Sequence, residues 1–117
     1  MKFINYKNEE LFVDEVSISN PTDYQIQIKV FSAGINRADI LQKKGHYPAP
    51  KGESEIIGLE CAGTVEKVGN LVQKFKIGDQ VCAILGGGGY AEFVNVDEKQ
   101  VMPVPSNIDL LDAGALP

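Results

Sequence analysis

Between Gln25 and Val30 the chain alternates polar and apolar side chains without a break: Gln25-Ile26-Gln27-Ile28-Lys29-Val30. A period of two belongs to a β-strand with one face in a core and the other in water, and it predicts the clearest strand in the molecule. Shorter apolar runs rich in β-branched residues predict further strands over Phe12 to Val16, Gly63 to Val68, Gln80 to Leu85, Tyr90 to Val96 and Gln100 to Val104. Turn-forming residues separate them at Asn20-Pro21, Gly69-Asn70, Gly78-Asp79 and the run Gly86 to Gly89. Strands this short and closely spaced predict a mainly β domain, either barrel or sandwich.

Two segments break the β pattern. Asn36 to Lys43 is rich in helix formers, opens on an Asn that can cap a first turn and carries Asp39 three positions later, so one or two helical turns are predicted. Asp109 can cap a second helix beginning at Leu110, but the chain stops at Pro117 before three turns are complete, and that end reads as a cut. No internal repeat, low-complexity segment or linker interrupts the pattern.

At 117 residues and 44% hydrophobic the chain is long enough for one domain with its own core and too short for two ordinary ones. The formal charge of -5 and the scattered basic residues argue against nucleic acid and against an anionic membrane surface as partners. The first residues lack the sustained apolar run of a signal peptide. No stretch approaches the roughly 20 apolar residues of a membrane helix. Cys61 and Cys82 stand apart in apolar surroundings without C-x-x-C spacing, which favours reduced, buried thiols and a cytoplasmic address.

Taken in order, Ala33-Gly34-Ile35-Asn36-Arg37-Ala38-Asp39, Gly58-Leu59-Glu60-Cys61-Ala62-Gly63-Thr64-Val65, Gly69 and Lys76-Ile77-Gly78-Asp79-Gln80-Val81 resemble the medium-chain dehydrogenase/reductase superfamily. The resemblance extends to the Pro-rich exit Met102-Pro103-Val104-Pro105 and the closing Ala113 to Pro117, so it covers nearly the whole chain. Zinc enzymes of that superfamily carry a Cys where Asn36 stands and a His where Leu59 stands, both catalytic ligands. Catalytic zinc needs about three donors of N, S or carboxylate type, and an amide and a hydrocarbon do not supply them. His46 is the sole histidine, and only Cys82 to Leu85 separates Val81 from the glycine run, which leaves no room for a four-cysteine structural lobe. The chain is therefore most similar to the zinc-free branch, the quinone oxidoreductases related to zeta-crystallin, for which Asn36-Arg37-Ala38-Asp39 and the Gly45-x-Tyr47-x-x-Pro50 loop are characteristic.

The resemblance implies a GroES-like, partly open β-barrel over residues 1–117 with one or two short helices, lacking the Rossmann domain that holds the cofactor in such enzymes. It implies NADPH as cofactor of the intact protein, no metal, a small quinone-like substrate, and a homo-oligomeric whole. The piece alone is expected to be inactive and to self-associate through an uncovered barrel edge. By the same resemblance Asn36 lies near the nicotinamide, although an Asn before a helical turn is also an ordinary N-cap. Tyr47 is expected to line the cleft over nicotinamide or quinone, with a surface tyrosine packed on its own prolines as the alternative. Leu59 is expected to supply apolar wall on the substrate side, and Glu60 to be a hydrogen-bonded structural carboxylate. Arg37 and Asp39 form a local pair or touch neighbouring loops, with no catalytic role. His46 faces solvent.

Gly86 to Gly89 is not a phosphate loop on this reading, because Tyr90-Ala91-Glu92-Phe93-Val94 continues as a strand where a dinucleotide fingerprint needs a helix N-terminus. Gly58 and Gly63 are expected at bends or close backbone approaches. Two other functions stay open: reduction of an enone or enoyl thioester on the same fold, and a GroES-like binding module without redox work.

Overall fold

The structure, a computed structural model, describes residues 1–44 and 54–117. In chain order its strands are β1 (Lys2–Lys7), β2 (Glu10–Glu15), β3 (Gln25–Ala33), β4 (Glu60–Val68), β5 (Gln80–Ile84), β6 (Phe93–Asp97) and β7 (Val101–Pro103). Helix α1 (Arg37–Lys43) lies between β3 and β4, and α2 (Leu110–Ala113) follows β7.

The alternating segment is the spine of the fold. β3 pairs antiparallel with β4 and with β6, and β4 passes the sheet on through β5 to β7, giving the order β6-β3-β4-β5-β7. The sheet is not a closed barrel, so the partly open form expected from the motifs holds. On one face Ile26, Ile28, Cys61, Val65, Val81, Ala83 and Val94 make the main core. Ile26 and Ile28 are fully buried, each contributing on the order of 1.5–3 kcal/mol over an exposed position. The opposite face carries Ala62 and Cys82, which pack against Ala113 of α2.

One expectation is corrected here. The polar face of β3 does not stand in water throughout, because Gln27 is only 3% exposed. Its amide donates to Asn95 Oδ1 and to the Ser19 carbonyl, so a polar side chain is buried with its hydrogen-bonding needs met. Across the same strand, a Cβ on Gly63 would collide with the Lys29 carbonyl and with Ile28. That close approach is the one expected of Gly63.

β1 and β2 form a separate hairpin in register from Lys2↔Glu15 to Lys7↔Glu10. The hydropathy pattern missed β1, since Lys2 to Lys7 has no clean alternation and its turn, Asn8-Glu9, is not a usual hairpin dipeptide. Both turn residues nevertheless take positive φ, 52° and 66°, as a tight two-residue turn requires. The hairpin is tied to the large sheet through residues 90–92: Ile4 N–H donates to Tyr90 O, Glu92 N–H to Lys2 O, and Val30 N–H to Glu92 O.

The cysteines are placed by the sheet register. Cys61 stands opposite Ala83 and Ala62 opposite Cys82, so successive side chains send the two thiols to opposite faces. A disulfide between them would require the sheet to open. Burial pushes the Cys61 thiol up to about 12, with Cys82 and Glu60 adding to the effect, and burial raises Cys82 as well. Both thiols are therefore expected to resist a thiol-specific disulfide reagent at about pH 8 in the native chain and to react fully in denaturant. Rapid reaction of either in the native state would contradict this packing.

Candidate functional site

The site is built where two backbones cross. Residues 56–59, just ahead of β4, run beside residues 85–90, and the two segments exchange main-chain bonds. Leu85 N–H donates to Leu59 O (2.8 Å), Gly88 N–H to Ile56 O (2.8 Å), Gly89 N–H to Gly58 O (3.1 Å) and Tyr90 N–H to Ile57 O (2.9 Å). Gly58 has φ +123°, and a Cβ there would stand 2.6 Å from Gly89 Cα and Tyr90 N. A glycine is needed at this point both for conformation and for space. The run Gly86 to Gly89 thus forms a crossing that continues toward β6, with the N–H groups of Gly88 and Gly89 committed to it.

The crossing delivers Tyr90 to the start of α1. Its hydroxyl donates to Asp39 Oδ2 at 2.6 Å, with the Gly34 carbonyl a longer second acceptor at 3.4 Å. The same Oδ2 accepts Asn36 N–H at 2.9 Å, while Asp39 N–H donates to Asn36 O at 3.0 Å. Asn36 is therefore the N-cap residue, in extended backbone at φ -123° and ψ 156°. Asp39 is 4% exposed and, through these bonds, ties the start of α1 to the segment that carries Tyr90. Burial first, then the hydrogen bond and charge of Asp39, then Glu60, hold the Tyr90 phenol above its ordinary value.

Sequence reasoning set Asp39 aside and did not single out Tyr90 as a site residue. The available signal was an aromatic residue directly after four glycines, where a flexible crossing ends.

Asn36 and Leu59 come to one end of the sheet. Ala33 pairs with Cys61 and Gly34 N–H donates to Glu60 O at 3.4 Å, so the segments leading to both residues leave the β3/β4 pair side by side. Leu59 is half-buried. Glu60 lies against the Cα of Gly34, where any Cβ would collide with its carboxylate. Tyr47 and His46 lie outside the described residues. Among the described residues no group of three His, Cys, Asp or Glu side chains is arranged to hold a metal ion, and no helix is long and apolar enough to cross a membrane.

This succession of strand end, capped helix, glycine bend and glycine-run crossing is accompanied by a match to the family described as alcohol dehydrogenase GroES-like domain over residues 22–106. The chain belongs to that family. This GroES-like domain is 33% identical over 103 residues to the quinone oxidoreductase of Rattus norvegicus, covering 87% of the chain and 31% of that protein. It is 29% identical over 108 residues to the synaptic vesicle membrane protein VAT-1 homolog-like of Mus musculus, covering 92% of the chain and 26% of that protein. Among solved structures, Escherichia coli quinone oxidoreductase complexed with NADPH is 30% identical with a TM-score of 0.82, covering 97% of this chain and 35% of that one. The chain thus spans between 26% and 31% of the length of these two curated relatives. The GroES-like fold and the place in the medium-chain dehydrogenase/reductase superfamily, both expected from the order of motifs, are shown.

Tyr90→Phe removes the hydroxyl and leaves the ring, and is expected to cost about 2 kcal/mol at neutral pH by urea denaturation, the usual size for a hydrogen bond to a charged group. The folded state holds the Tyr90 proton more tightly than the unfolded chain does. Its stabilisation is thus full below about pH 10, the unfolded value, and falls as pH rises toward the raised folded value. The gap between wild type and Tyr90→Phe is expected to narrow above that point. A gap that widened with pH would contradict the assigned bond.

Proposed function

We propose that this domain forms the substrate-side wall of the cleft in a zinc-free, NADPH-dependent quinone reductase, within whatever longer protein carries it. The observation that supports the reading is that the segments carrying Asn36 and Leu59 leave the β3/β4 pair at the same end, where Ala33 pairs with Cys61 and Gly34 N–H donates to Glu60 O. Neither side chain offers the thiolate or imidazole that catalytic zinc takes in related enzymes.

The cofactor's share of contact with this domain is limited to its nicotinamide end. The glycine run leads into strand β6 and not into a helix N-terminus, and its Gly88 and Gly89 N–H groups already donate to Ile56 and Gly58, so it lacks the helix-capped donor set that a pyrophosphate takes. Asn36, at the mouth of α1, brings an amide that both donates and accepts, suited to a carboxamide or a quinone carbonyl. Tyr47 is assigned to the same side by resemblance. Leu59 supplies apolar wall that keeps water from the reacting faces. A bound nicotinamide supplies the hydride, and the protein supplies position and dielectric.

The protein that carries this chain is expected to oxidise NADPH in the presence of 1,4-benzoquinone at a rate unaffected by a metal chelator. Asn36→Ser keeps a capping oxygen and loses the amide. It is expected to lower kcat/KM about ten-fold with little change in stability. Turnover abolished by chelation would overturn the metal-free reading, and an unchanged kcat/KM would remove Asn36 from the site. A cyclic enone offered in place of the quinone separates quinone from enone reduction: preference for the enone would displace the quinone assignment.

A further inference from the structure

Helix α1 has seven residues, too few to be stable without support from the rest of the fold. Its buried side chains are Asp39 and Gln42, whereas Ile40 is 44% exposed. Polar side chains thus occupy positions that apolar ones take under most surface helices. Toward the C-terminal end, Gln42 Nε2 donates to the Glu55 carbonyl at 2.8 Å. At the N-terminal end, where Asn36 stands, the anchor is Asp39.

Asp39 holds both main-chain polar groups of Asn36. Its N–H donates to Asn36 O at 3.0 Å, a bond of the first helical turn that does not depend on the side chain. Its Oδ2 accepts Asn36 N–H at 2.9 Å, which requires the carboxylate to be turned toward Asn36. Oδ1 is buried and has no hydrogen-bond partner among the described residues, so the donors on Oδ2 set that orientation. One of them is Asn36 itself. The other comes from outside the helix: the Tyr90 hydroxyl, at 2.6 Å. Tyr90 can act as a fixed post, because its N–H donates to Ile57 O and its carbonyl accepts Ile4 N–H.

We propose that Tyr90 is a positioning residue for Asn36: its hydroxyl orients the Asp39 carboxylate, and the carboxylate holds Asn36 at the mouth of α1. In this role Tyr90 touches neither substrate nor cofactor. The effect on turnover rests on the redox reading above, in which the Asn36 amide meets a nicotinamide or a quinone carbonyl. The effect on Asn36 itself rests on the three-residue hydrogen-bond chain alone.

Two readouts test it, with Val65→Ala as the control for lost stability, since Val65 is buried in the main core on β4. The first is NMR relaxation on the 117-residue chain. The backbone order parameter of Asn36 is expected near about 0.85 in wild type and Val65→Ala, and below about 0.6 in Tyr90→Phe, with β4 rigid in all three. The second is turnover of the protein that carries this chain. Tyr90→Phe is expected to lower kcat for 1,4-benzoquinone about ten-fold with little change in the KM for NADPH, and Val65→Ala to leave kcat unchanged. An Asn36 as rigid in Tyr90→Phe as in wild type would overturn the proposal whatever the whole protein catalyses. So would a kcat unchanged in Tyr90→Phe, or one lowered equally in Val65→Ala. A whole protein that reduces no quinone, with Asn36 loosened only in Tyr90→Phe, would uphold the positioning and sink the redox reading instead.

Discussion

The crossing of residues 56–59 over residues 85–90 is the constraint from which the site follows. Four main-chain hydrogen bonds hold the two segments together, and Gly58 at φ +123° permits their contact. A side chain at that point would have to displace the backbone of Gly89 and Tyr90, which packed main chain does not allow cheaply. On one side of the crossing the chain enters β4 through Leu59 and Glu60. On the other it leaves through Tyr90, which then bonds the hairpin β1/β2 and the start of α1. Three parts of the fold that do not share a sheet are therefore located relative to one another by a short piece of extended backbone.

The polar corner depends on this placement. Asp39 is buried, and its Oδ2 receives two donors from different segments, one of them brought only by the crossing. A buried carboxylate held this way is stable because it is hydrogen-bonded, and it fixes the N-terminus of α1 and with it Asn36. The main core contributes differently. The apolar faces of β3, β4 and β5 stabilise the sheet by burial alone and do not discriminate one end of it from the other.

Much of the fold was legible because the alternation at Gln25-Val30 and the capping pattern at Asn36 and Asp39 are local signals, and the structure places a strand and a helix there. The first strand was not legible, since its pattern is irregular and only pairing with β2 and contact with residues 90–92 define it. Gln27 looked solvent-facing because alternation reports faces and not what covers them; Asn95 and Ser19 cover this one. At the site, the motif order indicated Asn36 and Leu59, and the strand register brings their segments together. The Tyr90–Asp39 bond joins residues 51 positions apart. No periodicity or spacing encodes a contact of that kind, and it exists only because glycines let the chain pass close to Gly58.

Native-state amide hydrogen exchange on the chain tests this most directly, because the crossing is made of N–H groups. The account expects the amides of Leu85, Gly88, Gly89 and Tyr90 to exchange as slowly as those of β4, opening only with the sheet. Exchange at the rate of an unstructured peptide across residues 85–90, with β4 still protected, would show that the glycine run is a free loop and would contradict it.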